Sequence, residues 1–374
     1  MAITALSQLL QARRIVVKVG SSLLIEAGKP RDWWLDSLAQ DLAAIRAEGP
    51  EVIVVSSGAI ALGAARLGMP QGGRSNLADA QAAASVGQVE LARLWSQALD
   101  EHELIAAQML VTLGDLEDRR RYLNASATLN RLLAAGVVPV VNENDSVATE
   151  EIRFGDNDRL AARVAQAAGA DTVLLLSDVD GLYDRDPMQD GAQLIAQVDG
   201  ITPEVLAMAS RGSSSGLGSG GMASKLEAAQ IAERAGITLA IINGKHESPI
   251  ANAVDADVGT VFLPRRSDDA RKAWLGGRIA PSGVLTVDAG CARALETGGA
   301  SLLAAGITAI DGKFDRGDLV EIRAEDGRVI AKGLCEYSAA NCHAIKGMRE
   351  DQQAEVLGHS PRPAVVHRDH LVML

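Results

Sequence analysis

From Arg14 to Pro264 the chain alternates short β-branched runs with longer alanine- and leucine-rich stretches of helical period. This alternation constrains the fold more than any other feature. Strands that are apolar on both faces need cover on both sides, and amphipathic helices between them supply it, which is the pattern of βαβ units around a buried parallel sheet. The strands expected are Ile15–Val19, Val52–Ser56, Ile105–Leu110, Val137–Asn142, Thr172–Ser177, Thr238–Asn243 and Thr260–Leu263. The helices expected between them are Leu35–Glu48, Ala59–Leu67, Ala78–Leu99, Arg121–Ala135, Arg159–Ala168 and Lys225–Ala235. The class is α/β, and the order of strands in the sheet is not contained in the pattern.

The character changes after Lys272-Ala273-Trp274-Leu275-Gly276-Gly277, where Gly276, Gly277, Pro281 and Gly283 mark a linker. Beyond it lie short strand-like runs, Gly283–Val287, Leu319–Arg323 and Val329–Gly333, with Asp-Gly turns at Asp311-Gly312 and Asp326-Gly327. A chain of 374 residues accommodates one domain of roughly 250 residues and one of roughly 100. The expected division is residues 1–274, a linker at 275–282, and a β-rich module with a C-terminal extension at 283–374.

With 47% hydrophobic and 22% charged residues the chain is expected to fold as a globular protein. Its net charge of −12 repels nucleic acid and anionic membrane over most of the surface, so any phosphate site must be a local feature. Cys291, Cys335 and Cys342 are odd in number and lack C-x-x-C spacing, against both a disulfide framework and structural zinc. Met1 to Leu10 has no basic residues ahead of its short apolar stretch, and no run of about 18 apolar residues occurs. A cytoplasmic protein without membrane spans is the expectation.

Five polar or glycine-rich clusters fall where open α/β sheets place their ligands, at the carboxyl ends of strands or at the starts of helices. Val17-Lys18-Val19-Gly20-Ser21-Ser22 sets a lysine inside an apolar run and follows it with small residues whose N–H groups can face an anion. Ser56-Ser57-Gly58-Ala59 runs from a strand straight into a helix; read alone it is an N-cap. Asn142-Glu143-Asn144-Asp145 follows a Val-Val-Pro-Val-Val strand, and Gly155-Asp156-Asn157-Asp158 opens the next helix. Amides and carboxylates in those positions suit the carboxylate and ammonium of an α-amino acid better than they suit a solvated loop. The fifth cluster, Ser214-Ser215-Gly216-Leu217-Gly218-Ser219-Gly220-Gly221-Met222-Ala223-Ser224-Lys225, is neither a Walker A loop nor a dinucleotide fingerprint. Its lysine at a helix N-terminus makes it a phosphate clamp rather than a bare linker.

Two lysines bracketing a glycine-lined cleft fit phosphoryl transfer, which depends on positioning and charge neutralisation, with Mg²⁺ bridging the phosphates of ATP. None of the six histidines lies in these clusters. A carboxylate acceptor, with a pKa of about 4.3, is already ionised and needs no base, which favours a kinase that forms an acyl phosphate. Asp145, Asp156 or Asp158 remains available as a base for a hydroxyl acceptor.

The clusters, in this order, resemble the amino acid kinase family, and the Asn-Glu-Asn-Asp and Gly-Asp-Asn-Asp pair is similar to its glutamate-using branch. Gly87-Gln88, Ser177-Asp178 and Gly181-Leu182-Tyr183 belong to the same likeness. The segment from about Gly283 to Arg362 resembles a PUA module through Ser301–Ile307, Phe314-Asp315-Arg316-Gly317-Asp318 and Ala364–Asp369. The resemblance implies an α/β three-layer sandwich around a mainly parallel sheet with a small C-terminal β-barrel-like PUA domain. It also implies phosphorylation of the L-glutamate side chain by ATP, with Mg²⁺ carried on the nucleotide and feedback inhibition by L-proline. In that reading Lys18 and Lys225 contact the phosphates and the transition state, and Asp158 orients both. Ser57, Asp145 and Asn157 bind glutamate, with Asn142 and Asp156 beside them. Lys18, Ser177 and Asp178, together with Ser219, Gly220, Gly221, Met222, Ala223, Ser224 and Lys225, hold ATP. No protein metal site is implied, and a homo-oligomer is expected.

The rivals are kinases of the same family acting on N-acetylglutamate, aspartate, carbamate or a nucleoside monophosphate, and an RNA-binding PUA protein. Residues 281–374 carry ten Lys and Arg against thirteen Asp and Glu, a net of −3, which disfavours nucleic acid as a partner.

Overall fold

The computed structural model describes residues 3–147, 156–211, 221–264 and 281–373. The chain divides into two compact units, one built from Met1–Glu117 and Asn124–Ser267, the other from Asp118–Leu123 and Asp268–Leu374.

The first unit begins with β1 (Arg14–Val19), the short α1 (Ser21–Leu24), the hairpin β2 (Ile25–Glu26) and β3 (Lys29–Pro30), and α2 (Asp32–Ala47). There follow β4 (Glu51–Ser56), α3 (Ala59–Leu67), α4 (Leu77–Asp100), β5 (Ala106–Val111), α5 (Leu113–Glu117), α6 (Arg119–Ala134), whose residues before Asn124 count with the second unit, and β6 (Val138–Glu143). Then come α7 (Asp156–Ala168), β7 (Thr172–Ser177), β8 (Gln197–Asp199), α8 (Pro203–Arg211), α9 (Met222–Arg234), β9 (Thr238–Asn243), α10 (Pro249–Ala256) and β10 (Thr260–Leu263).

Eight strands form one sheet in the order β5-β6-β4-β1-β7-β9-β10-β8. Pairing is parallel from β5 through β9, antiparallel between β9 and β10, and parallel again between β10 and β8. Every residue of β1 and β7 is buried, as expected for central strands covered on both faces. Alternate side chains of β1 point to opposite faces of the sheet. Ile15, Val17 and Val19 join a core with Trp34 and Leu38 of α2, Trp95 and Leu99 of α4, and Ile250 of α10. The opposite face, which carries Lys18, is covered by α7 and α9.

Five of the six expected helices start earlier than the apolar period suggests, and two of these bear on the site: α7 starts at Asp156 rather than Arg159, and α9 at Met222 rather than Lys225. The first turn of α7, Asp156-Asn157-Asp158, is polar, which hides it from a hydrophobic pattern but suits the positive end of the helix dipole. Asn157, Asp158, Ser224 and Lys225 therefore sit on rigid helical backbone.

The contact between α3 and α4 is set by two glycines. A Cβ on Gly63 would lie 1.8 Å from Ala83 O, and one on Gly87 would lie 1.8 Å from Ala59 O, so the two helix backbones touch. The second unit contains β11 (Gly283–Val287), α11 (Ala289–Gly298), β12 (Ile307–Gly312), β13 (Leu319–Ala324), β14 (Val329–Leu334), α12 (Ala339–Ile345), α13 (Glu350–Leu357) and β15 (Leu371–Met373). Its strands make a separate five-stranded sheet, β12-β11-β13-β14-β15, packed around Leu285, Phe314, Ile322 and Val366. Cys335 and Cys342 are buried there as free thiols with their sulfurs 3.7 Å apart.

Candidate active site

The carboxyl ends of β1, β4, β6, β7 and β9 lie side by side in the sheet, and the first turns of α7 and α9 arrive on one face of it. Lys18 on β1 is paired in register with Val55 of β4 and Leu175 of β7 and is 7% exposed. Its Nζ lies 2.6 Å from Asp158 Oδ1. Lys225 Nζ, also on a residue 7% exposed, donates to Asp158 Oδ2 at 3.1 Å, and Ser224 Oγ donates to the same oxygen at 3.1 Å. Asp158 is fully buried. Lys18, Asp158 and Lys225, far apart in sequence, thus form one compact charge cluster.

The electrostatics of the cluster follow from its burial. Burial pulls the Lys18 ammonium below the ordinary lysine value, with Asp158 opposing that fall and Lys225 adding to it. For Asp158, burial alone would raise the carboxyl, but the two ammonium groups outweigh it and hold it below the usual carboxylate range. The Asp158 carboxylate is thus an acidic group that two lysine side chains share. Two basic groups against one acidic one, in a buried site at two helix N-termini, suit a polyphosphate or a developing transition-state charge.

Beside it runs a chain of neutral groups. Asn157, next to Asp158 on α7, donates through Nδ2 to Ser57 Oγ at 2.5 Å, Ser56 O at 3.2 Å and Asn142 Oδ1 at 3.3 Å. Asn142, 2% exposed on β6, donates to Gln88 Oε1 of α4 at 2.7 Å. Trp95 of α4 donates from Nε1 to Ser56 Oγ at 2.8 Å. Ser57 N donates to Val19 O at 3.0 Å, extending the β1–β4 ladder by one rung. Gly58 then turns the chain into α3 with φ 120°, and a Cβ there would meet Ile25 Cδ1 at 2.9 Å. The turn holds Ser57 against Asn157.

Asp145 lies half-buried in the turn after β6, where its charge opposes the fall that burial imposes on the Arg74 guanidinium. Asp156 is the first residue of α7. Ser177 ends β7 and its Oγ contacts Asp178 Oδ1 at 3.4 Å; Asp178 is exposed and acts on Lys18 through its charge. Gly221, Met222, Ala223 and Ser224 form the N-cap and first turn of α9, and Gly221 offers no side-chain cap. Ser219 and Gly220 lie outside the described residues.

Some participants carried no role in the sequence reading. Gln88 and Trp95 reach the site from α4, and only the Gly87-Gln88 dipeptide hinted at one of them. At the ends of β7 and β9, Asp180 accepts from Asn243 Nδ2 at 2.9 Å and from Tyr183 Oη at 2.8 Å. These polar residues look like ordinary turn chemistry until the two strands are paired.

A charge cluster at the carboxyl edge of a mainly parallel sheet, with an amide network beside it, is an arrangement suited to phosphoryl transfer between small molecules. Residues 13–243 match the sequence profile of the amino acid kinase family and residues 283–357 that of the PUA domain. The chain belongs to the amino acid kinase family. Among its relatives are proteins named glutamate 5-kinase. One from Novosphingobium aromaticivorans is 62% identical over 378 aligned positions, covering 100% of both chains. One from Sphingopyxis alaskensis is 58% identical, covering 96% of this chain and 97% of its own. One from Zymomonas mobilis is 53% identical, covering 96% and 91%.

Proposed function

We infer that the protein transfers the γ-phosphoryl group of ATP to the side-chain carboxylate of L-glutamate, giving L-glutamyl 5-phosphate and ADP, the first step of proline biosynthesis. The observation that carries this reading is the buried Lys18–Asp158–Lys225 cluster beside the Ser57–Asn157–Asn142 chain.

In the proposed mechanism a carboxylate oxygen of glutamate attacks the γ-phosphorus in line, a new P–O bond forms, and the bond to the β-phosphate oxygen breaks. ADP leaves with the electron pair. No proton is transferred, so no base is needed, in keeping with an acceptor of ordinary carboxyl acidity. Two anions must approach one another, and Lys18 and Lys225 neutralise the charge that spreads over the equatorial oxygens. Asp158 positions both ammonium groups and keeps them from repelling each other apart. Asn157, Ser57, Asn142, Asp145 and Asp156 are assigned to the amino acid. Ser177, Asp178 and the segment Ser219–Lys225 are assigned to the nucleotide.

Mg²⁺ binds through a few oxygen ligands and readily keeps phosphate oxygens and waters as the rest. The exposed Asp178 carboxylate beside Ser177 Oγ fits such partial coordination, and the described residues hold no group of three His, Cys, Asp or Glu side chains arranged for a metal. Bound with the nucleotide, the ion would neutralise β- and γ-phosphate oxygens.

Catalysis is assigned to residues 1–274 and a regulatory or assembly role to residues 283–374, with L-proline as feedback inhibitor and a homo-oligomer as the working form. No helix among the described residues is long and apolar enough to cross a membrane, and a cytoplasmic location is proposed. Steady-state turnover with glutamate, N-acetylglutamate and aspartate tests the reading; equal turnover of N-acetylglutamate would refute it.

A further inference from the structure

The amide chain beside the charge cluster has a direction. Asn157 places its Nδ2 against three oxygens, and one of them, the backbone carbonyl of Ser56 at 3.2 Å, can only accept. The Asn157 amide is therefore oriented by chemistry that a hydroxyl or another amide could not impose. Its Nδ2 faces Asn142, so Asn142 must present Oδ1 to it, as the 3.3 Å contact shows. Asn142 then turns its own Nδ2 outward, where Gln88 Oε1 accepts at 2.7 Å. The consequence falls at the other end. Asn157 Oδ1 is buried and makes no hydrogen bond among the described residues.

We propose that Gln88 is a positioning residue for substrate recognition: by accepting from Asn142 it holds Asn142 Oδ1 against Asn157 Nδ2 and so keeps Asn157 Oδ1 aimed at the α-ammonium of the amino acid. The proposal rests on the assignment of glutamate as substrate and deepens it. Without an acceptor at position 88, the Asn142 NH₂ group is left unpaired at a buried position. Reversing the Asn142 amide does not relieve this, since it would set NH₂ against the NH₂ of Asn157, so Asn142 turns away instead. Asn157 keeps its bonds to Ser56 O and Ser57 Oγ but loses the contact that steadies its side chain, and with it the aim of Oδ1 at the ammonium. Gln88 sits on α4, and the Gly63 and Gly87 contacts hold α4 against α3, whose N-terminus follows Ser57. The position of the amides is thus tied to the rigid part of the fold. Gln88 itself is half-buried and touches no reacting atom in this scheme, so its effect is expected on recognition more than on transfer.

The test compares L-glutamate with glutarate, which has both carboxylates and no ammonium, in the full-length wild-type protein and in Gln88→Met, Gln88→Ala and Gln88→Glu. Turnover is followed by ATP-dependent hydroxamate formation, with KM for ATP measured in parallel. Wild type should favour glutamate over glutarate by about tenfold or more in kcat/KM. Gln88→Met and Gln88→Ala should lower that preference about five- to tenfold through a higher KM for glutamate, with KM for ATP and kcat for glutarate within about twofold. Gln88→Glu, which keeps an acceptor, should retain the preference. A Gln88→Met or Gln88→Ala protein that keeps the wild-type preference, or loses glutamate and glutarate turnover in equal proportion, would overturn the proposal alone. A wild-type protein that does not phosphorylate glutamate would overturn the functional reading and the proposal with it.

Discussion

Replacing Asp158 by asparagine keeps the size of the side chain and removes the charge that two lysines share. In the native site both ammonium groups lie on residues only 7% exposed, and Asp158 is the anion both contact, at 2.6 and 3.1 Å. The substitution leaves two buried cations facing a neutral amide. Loss of one member of a buried ion pair costs about 3–5 kcal/mol in other proteins. Part of that cost is relieved if Lys18, whose pKa burial already depresses, gives up its proton. Either outcome damages catalysis: the lysines splay apart, or one of them becomes neutral. A fall in kcat of about 10²-fold or more is expected, the effect of losing one preorganised electrostatic donor. The assay is steady-state hydroxamate formation at saturating glutamate and ATP, paired with urea unfolding to separate lost chemistry from lost folding. A folded Asp158→Asn protein with kcat within about threefold of wild type would show that the carboxylate does not organise the site.

The remaining expectations use the same geometry. Lys225→Ala and Lys18→Ala should each lower kcat by about 10²-fold, and near-normal turnover in Lys225→Ala would reduce the start of α9 to a linker end. Because the Lys18 ammonium is the working form and its pKa is lowered, kcat/KM should fall as pH rises, with the alkaline limb below that of an ordinary lysine; Lys18→Arg, which stays charged, should lose that limb if it turns over at all. Asp158 has the opposite linkage: its carboxyl pKa is lowered, so its stabilisation is present above about pH 4 and is lost as pH falls through the native value, measurable by unfolding at a series of acidic pH values. Gly87→Ala should destabilise by at least about 1–3 kcal/mol, since its Cβ would fall 1.8 Å from Ala59 O; an unchanged thermal midpoint would contradict the close helix contact. A fragment of residues 1–274 should fold and retain kcat, and a folded fragment without turnover would place catalytic groups in the C-terminal module.

Much of the first unit was legible because its central strands are buried on both faces. Thr172–Ser177, Thr238–Asn243 and Thr260–Leu263 were read at their observed ends, and turn-forming or polar residues flank each of them. The direction of β10 was not legible, because an apolar run pairs equally well parallel or antiparallel. Gln197–Asp199 escaped as a strand because it has three residues and only one buried side chain. At the site, Lys18, Asp158 and Lys225 each stood out locally, as a cation in a strand or a charge at a helix start. That one carboxylate bridges both cations depends on the packing of α7 against α9 and β1, which no local pattern contains. Gln88 reaches Asn142 across 54 residues, and Trp95 reaches Ser56 across 39, so neither contact leaves a trace in sequence spacing.

The central claim is that this site makes an acyl phosphate on free glutamate. The direct measurement is capture of the product by hydroxylamine from reactions containing the purified protein, ATP and Mg²⁺ with L-glutamate, N-acetyl-L-glutamate or L-aspartate. Glutamate should yield γ-glutamyl hydroxamate at a kcat/KM at least about tenfold above the other two, because acetylation removes the cation that the buried acceptors require. Hydroxamate formed equally well from N-acetylglutamate, or ATP hydrolysed in the presence of glutamate without any trapped acyl phosphate, would contradict it.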